Sequence, residues 1–500
     1  MRLFLEGFAS LMSFECLFYM VLGTAVGILF GAMPGMTATL AVAVFIPITY
    51  AMNVNVSMGL LMSLYIGGIS GGLISAVLIN IPGTPASVAS TFDGMPMARK
   101  GEAGKALGVG IFYSFIATVM STIALIFISP PLARIAFNFG YFEYFAITSC
   151  SFVLVAGLAG RDLVKGLIST VFGVFFSIIG MAPLDGVKRF TFGSPHMAAG
   201  LSSLPVLIGL FALPELIKYV SESDTGFTKL EVPKFRGLGF TLKEFLAETG
   251  NMFRSWLIGL SVGLIPGIGG ATSNLLAYAA AKNSSKHPEK FGTGIMSGIV
   301  ASETSNNASI GGAMVPLLSL GIPGDAVTAI LLGALMVKGI QPGPMFFRNN
   351  LNTAYAIFAA LLISSVMMLI IEMGALRLFV RLLSIPRRIL LPIVMVICAV
   401  GAYTSTSTIF SMWVLFAFGI IGYMFSVMKL PLPPCIIGFV LGSDAELYLR
   451  RGLQMTGGEF APFLTSSAIT ICAYSIAALF LAWKIVNGIR KKLLAKLSES

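Results

Sequence analysis

Gly27-Ile-Leu-Phe-Gly31-Ala-Met-Pro34-Gly35 in the first half of the chain returns as Gly259-Leu-Ser-Val-Gly263-Leu-Ile-Pro266-Gly267 in the second. Further on, Gly71 and the later pair Pro82-Gly83 are answered at the same interval by Gly312 and Pro323-Gly324. Pro205-Val-Leu-Ile-Gly209 is matched in turn by Pro434-Cys-Ile-Ile-Gly438. Three stations in one order indicate a duplicated chain whose apolar segments are broken in corresponding places, the pattern of transporters with a site where the repeats meet.

The surroundings of these motifs are those of a polytopic membrane protein. Hydrophobic residues make up 56% of the 500 and charged ones 11%, well below the roughly 25% charged of soluble domains. The stretches 107–129, 352–371, 407–428 and 462–483 meet the length of about 20 residues needed to span a hydrocarbon core, and lipid satisfies no backbone polar group, so they must be helices. The pattern predicts an all-α polytopic membrane protein with about 12 transmembrane helices, some broken by Pro-Gly or re-entrant, in two inverted repeats. Residues 1–220 form the first repeat, 221–250 a polar connection, and 251–500 the second repeat with a basic tail. Residues 1–12 read as an amphipathic lead-in at the interface, and 36–52, 271–281 and 432–443 are short enough to be re-entrant.

Charge sets the expected orientation. In the junction, Lys229, Lys234, Arg236 and Lys243 are outnumbered by Glu222, Asp224, Glu231, Glu244 and Glu248, which places it outside. In the tail, Lys484, Arg490, Lys491, Lys492 and Lys496 face Glu499 alone, and Arg377, Arg381, Arg387 and Arg388 form a second basic cluster. Both belong on the cytoplasmic side. A junction outside and a tail inside give the second half an odd number of crossings, which inverts it relative to its twin. The same basic loops account for the net charge of +11 without a nucleic-acid partner. Cys16, Cys150, Cys398, Cys435 and Cys472 lie singly in apolar stretches as packing residues. His196 and His287 stand alone, forming neither a metal cluster nor a catalytic pair.

Pro-Gly inside an apolar helix ends it and lets another begin. The new helix start aims free amide hydrogens and a positive dipole end into the gap, an anion site in waiting. Four breaks, Pro34-Gly35, Pro82-Gly83, Pro266-Gly267 and Pro323-Gly324, are followed by small donors: Thr37 and Thr39, Thr84 and Ser87, Ser273 and Asn274. These are the candidate substrate-binding residues, with Thr37, Thr84, Ser87, Ser273 and Asn274 expected to converge near the midplane. The alternative is that the prolines only kink helices and the glycines allow close packing.

Glu303 stands in an otherwise uncharged stretch where a carboxylate facing lipid is costly. It shares a helix face with Asn306 and Asn307, so a carboxylate and two amide oxygens are positioned to meet a hard cation such as Na⁺, or to relay protons; a structural network among the three is the alternative. Asp325 opens the segment after Pro323-Gly324 and reads first as an N-cap, with contact to the coupling cation as its second role. Asp93-Gly94-Met95-Pro96, followed by Arg99, Lys100 and Lys105, reads as a polar connection.

Taken together, Gly31-Ala-Met-Pro34-Gly35-Met-Thr37, Ile81-Pro82-Gly83-Thr84-Pro85 leading to Asp93-Gly94-Met-Pro96, Phe291-Gly292-Thr-Gly294, Glu303-Thr-Ser-Asn306-Asn307-Ala308, and Leu320-Gly321-Ile322-Pro323-Gly324 through Gly339-Ile-Gln-Pro342-Gly343-Pro344 resemble the large membrane subunit of tripartite tricarboxylate transporters. The resemblance runs from about residue 15 to 465 and takes in Gly209-Leu-Phe211 and a counterpart ending at Glu446. It implies a bacterial inner-membrane carrier that works with a small membrane subunit and a periplasmic binding protein and imports carboxylates such as citrate, usually with Na⁺, without a bound cofactor. This chain departs from the family pattern at Asp325, where a small residue is usual, and at Thr304 and Ser305, where alanines are usual. The competing classes are a channel using the same broken helices and an intramembrane enzyme; for the latter no H-E-x-x-H, G-x-S-x-G or paired-aspartate motif is present.

Overall fold

The computed structural model describes residues 2–158, 162–221, 238–267, 269–382 and 387–499. The charged junction at 222–237 lies outside the described residues, as do the side chains of Arg381, Arg387 and Arg388 and those of the tail from Arg490 on. The first half supplies α1 (Arg2–Ser10), α2 (Phe14–Ala32), α3 (Ala38–Thr49), α4 (Val54–Ile79), α5 (Val88–Arg99), α6 (Ala103–Ala136), α7 (Tyr141–Leu158), α8 (Leu163–Ser177), α9 (Pro195–Ala198) and α10 (Ser203–Ser221). The second supplies α11 (Leu242–Gly263), α12 (Gly269–Asn283), α13 (Met296–Leu320), α14 (Ala326–Val337), α15 (Phe346–Asn349), α16 (Leu351–Leu382), α17 (Arg387–Thr406), α18 (Ile409–Val427), α19 (Leu432–Met455), α20 (Ala461–Thr465) and α21 (Ala468–Glu499).

Seven helices among the described residues are long and apolar enough to cross a membrane: α2, α4, α6, α16, α18, α19 and α21. The chain is therefore an all-α, multi-pass membrane protein, with one two-residue β-pair joining Gly180–Met181 to Lys188–Arg189. By contrast α3 and α14 have 12 residues each, about 18 Å at 1.5 Å per residue, and so reach only part-way across a core of about 30 Å. The segment 432–443, short when judged by its apolar run, is the first half of the 24-residue α19. The helix simply continues through the polar stretch that carries Asp444, Glu446 and Arg450.

Chain contacts divide the protein into two compact units, each drawing on both halves of the sequence. The first comprises Met1–Arg134 and Leu204–Tyr423; the second comprises Ile135–Ser203 and Met424–Ser500.

In the first unit the duplicated motifs make the same contacts twice. A Cβ on Gly27 would lie 2.6 Å from the Leu64 carbonyl oxygen, and one on Gly31 2.2 Å from that of Gly68. At the corresponding positions, Cβ atoms on Gly259 and Gly263 would lie 2.3 Å from the oxygen of Ser305 and 2.6 Å from that of Ser309. So α2 crosses α4 as α11 crosses α13, backbone against backbone, as small residues permit in lipid. Each pair then ends in a break. Gly35 and Gly267 turn with φ of +83° and +77°, angles that L side chains rarely adopt. Past the breaks, the half-helices exchange partners: α3 of the first half packs on α14, and α12 packs on the one-turn 3-10 segment Pro85–Ser87 that leads into α5. Lys338, at the end of α14, donates to the carbonyls of Thr49, Tyr50 and Met52 at 2.5 to 3.3 Å, placing a cation at the negative end of α3.

Gly31→Val has no free space on this geometry. Its β-carbon meets backbone, so we expect destabilisation of about 3 kcal/mol, the upper end for overpacking, seen as a lowered melting temperature in detergent. Gly374→Ala, with nothing within 4 Å of its Cβ position, is the neutral control.

In the second unit α8 packs on α19, where a Cβ on Gly173 would lie 1.9 Å from the Cys435 oxygen. Arg189 of the β-pair grips Glu446 with two hydrogen bonds, 2.6 and 3.0 Å, and Arg450 joins Glu446 at 2.7 Å to Asp185 at 2.9 Å. The amide of Val187 and the Arg450 guanidinium hold the Asp185 carboxyl below the usual carboxylate range.

Candidate functional site

The middle of the first unit is α13, buried without interruption from Gly298 to Ser319. Its segment Ser302-Glu303-Thr304-Ser305-Asn306-Asn307 is wholly enclosed although every residue in it is polar. Two neighbouring helices supply partners to Glu303. Ser90 of α5 donates to one oxygen of Glu303, and Ser114 of α6 donates to the other at 3.2 Å. The Asn307 amide nitrogen donates to Ser114 Oγ at 2.7 Å and to the Glu303 carbonyl at 3.1 Å. Ser90 Oγ lies 3.0 Å from Ser302 Oγ. No Lys, Arg or His forms an ion pair with Glu303 among the described residues.

What sets this segment apart is what it leaves over. Thr304 Oγ1, Ser305 Oγ, both amide atoms of Asn306 and Oδ1 of Asn307 are buried without a partner in hydrogen-bond geometry. Buried polar groups are nearly always paired, and each orphan costs about 1–3 kcal/mol. Five such atoms lie on four consecutive residues beside Glu303.

The breaks surround this segment. Asn274 of α12 accepts from the Ala89 amide at 2.7 Å, capping α5 from across the repeat, and donates to the Ser302 carbonyl at 3.2 Å. Ser273 donates to the carbonyls of Gly270 at 3.0 Å and Ser305 at 3.3 Å. A Cβ on Gly270 would lie 2.8 Å from Asn306 Oδ1 and 3.1 Å from Ala86 Cβ. Thr84 and Ser87 hydrogen-bond each other at 3.1 Å against Gly72 of α4. Pro82-Gly83 and Pro266-Gly267 thus bring Thr84, Ser87, Ser273 and Asn274 up to α4 and α13.

The other candidates belong to a second set of contacts. Half-buried Thr37 caps its own helix by accepting from the Leu40 amide at 3.2 Å, while Thr39 is buried inside α3. Their helix begins against α4, with Ala38 on Gly68. The breaks also face one another: a Cβ on Gly83 would strike the oxygen of Gly31, the residue three before Pro34, and the Gly267 amide donates to the Gly324 carbonyl at 2.7 Å. Asp325, after Pro323-Gly324, is the N-cap of α14: its Oδ1 accepts from the Thr328 amide at 2.7 Å. Its Oδ2 accepts from the fully buried Tyr65 hydroxyl at 2.6 Å. Asp325 stands beside Gly269, next to the Gly270 that touches Asn306.

Two acids escaped the sequence reading. Asp93 is not part of a polar connection; Asp93-Gly94-Met95-Pro96 is the second half of α5, and its carboxylate is fully buried. Oδ1 accepts from the amides of Gly292, Gly294 and Ile295 at 3.0, 2.8 and 3.0 Å, and Oδ2 accepts from the Tyr278 hydroxyl at 2.8 Å. This clamp fixes the entry into α13. Asp-Gly and Pro together read as a turn, and the amides that satisfy the acid lie far along the chain. The second acid, Glu372 of α16, interrupts an apolar run, a signal of the same kind that singled out Glu303.

A family model described as the tripartite tricarboxylate transporter TctA family matches residues 17–437. The chain belongs to this family. As a TctA-family member it is a transporter subunit rather than an enzyme, and one component of a system with further subunits and a binding protein. It is 33% identical over 488 residues, 97% of this chain and 96% of the relative, to an uncharacterised 52.8 kDa protein in the TAR-I ttuC′ 3′ region of Agrobacterium vitis. A second, shorter relative, an uncharacterised protein in the TAR-II ttuC′ 3′ region of the same organism, is 31% identical over 47% of this chain and 96% of its own length. No solved structure matches the chain.

Proposed function

We propose that this chain is the large membrane subunit of a secondary carrier in the bacterial inner membrane, importing a small organic carboxylate with a cation. A periplasmic binding protein delivers the substrate, and a small membrane subunit completes the assembly. The observation that carries this reading is Glu303, a carboxylate without a cationic partner, set beside five unpartnered polar atoms at the junction of the broken helices. Glu303, Asn306 and Asn307 offer an all-oxygen donor set, which suits a hard cation such as Na⁺.

The substrate anion is assigned to the neutral breaks. Thr37, which only accepts as a cap, and whichever of Thr84 and Ser87 accepts in their pair keep a hydroxyl proton to donate. Asp325 already places a carboxylate at the start of α14, so this break repels an anion and goes with the cation instead. The exchanged packing of α3 on α14 and of α12 on Pro85–Ser87 supports two repeats related by a two-fold axis in the membrane plane, the inverted arrangement of alternating-access carriers.

Proteoliposomes test the reading. Uptake with the partner subunits and binding protein present is expected to saturate with substrate and to collapse when the Na⁺ and proton gradients are dissipated. Passive, non-saturating flux would replace the carrier with a channel.

A further inference from the structure

A second buried carboxylate lies apart from the Glu303 network. Glu372 of α16 is fully enclosed. One oxygen accepts from Ser70 Oγ of α4 at 2.9 Å, while the other, Oε1, is buried with no hydrogen-bond partner. Ser70 Oγ also lies 3.3 Å from Met368 Sδ, and farther along the same interface Ser63 and Ser364 pair at 2.6 Å.

Among the described residues no Lys, Arg or His forms an ion pair with Glu372. α4 carries no Lys, Arg, Asp or Glu, and its Tyr65 hydroxyl is committed to Asp325. α2 has Glu15, Cys16 and Tyr19, all near its start, α1 has Arg2 and Glu6, and α15 has Arg348. On α16 itself are Tyr355 and the exposed Arg377, while the Arg381 side chain lies outside the described residues.

We propose that Glu372 is a proton-binding site of the transport cycle, separate from the cation site at Glu303. A fully buried carboxylate whose printed partner is the Ser70 hydroxyl alone is neutralised by a proton or by a metal cation. A hard cation takes about six oxygen ligands, and the site offers two carboxylate oxygens and the Ser70 hydroxyl. A proton needs only Oε1: an O–H bond forms there, Ser70 continues to donate to the other oxygen, and the proton leaves to water when the site opens.

The location connects this site to the substrate breaks. Ser70 is followed by Gly71 and Gly72, and Thr84 and Ser87 press on Gly72 from the opposite side of α4. A change of charge at Glu372 therefore acts on the same turn of α4 that supports the hydroxyl pair.

This proposal rests on the carrier reading, and its test separates the two. A hydrophobic carbodiimide attacks protonated carboxyl groups in apolar surroundings. With the complete transporter in vesicles, peptide mapping is expected to find the adduct on Glu372 at neutral pH, lost at alkaline pH and absent from Glu372→Gln. No adduct at Glu372 at any pH in the folded wild-type protein would overturn the proposal, whether or not uptake is gradient-driven. For uptake, the wild-type rate is expected to fall by about tenfold per pH unit above its midpoint, as for one titrating group. Glu372→Gln flattens that profile to within about twofold while keeping the Na⁺ curve. Should the glutamine variant not fold, Glu372→Asp must retain a titration with a shifted midpoint. A wild-type pH profile in Glu372→Gln, or an unshifted one in Glu372→Asp, marks Glu372 as structural and sinks the idea.

Discussion

Uptake by the Glu303→Gln protein is expected to respond far more weakly to the driving cation, with the half-saturating cation concentration rising by at least about 100-fold, which corresponds to roughly 2.7 kcal/mol. Glu303 carries the one charge in α13, and no basic side chain pairs with it among the described residues. Removing that charge leaves only neutral oxygens for a desolvated monovalent ion. The substitution is a fair test because the site accommodates it. Ser90 and Ser114 now donate to the carboxylate, and a hydroxyl rotates to accept from an amide as readily as it donates to an oxygen. Protein level and melting temperature should therefore stay close to wild type while the ion curve moves. A glutamine variant with unchanged Na⁺ and pH curves at matched expression would make Glu303 a purely structural group.

Asp93→Ala should destabilise the first unit by about 3–5 kcal/mol, as expected when one side of a buried, multiply bonded charge is removed. Three amides, those of Gly292, Gly294 and Ile295, converge on one carboxylate oxygen, and alanine leaves the half-buried Gly294 and Ile295 amides and that of exposed Gly292 without this acceptor. Asp93→Asn keeps that oxygen and turns its amide toward Tyr278, whose hydroxyl is able to accept, so its cost should be nearer 1–2 kcal/mol. The graded pair is read by thermal unfolding in detergent and by hydrogen exchange across residues 291–296. Equal stability of the alanine variant and the wild type would show that α13 does not depend on the clamp.

The duplication, the membrane class and the position of the breaks were legible in the sequence because each depends on local chemistry. Proline removes a donor, glycine opens positive φ, and an apolar run of span length has no alternative to a helix in lipid. The resemblance to the transporter family rested on the same runs, and the family match over residues 17–437 agrees with it. Glu303 stood out because a lone acid in an uncharged helix is visible without a fold. Glu372 was equally visible and passed unremarked, lacking the adjacent asparagines that made Glu303 look like a ligand set.

Other features came from long-range contacts alone. Asn274 was read as a substrate donor from its place after Pro266-Gly267; packing turns it into the cap of α5, a helix from the other half of the chain. Asp93 looked like part of a turn because its acceptor capacity is met by amides some 200 positions away. Asp325 behaves as the N-cap its sequence suggested, yet its bond to Tyr65 is fixed by α4. Sequence determines where a helix must stop, since backbone geometry and hydrogen bonding act within a few residues. Which helix start faces which acid is decided by the crossing of α2 on α4 and α11 on α13, where bare glycine backbones let distant segments meet.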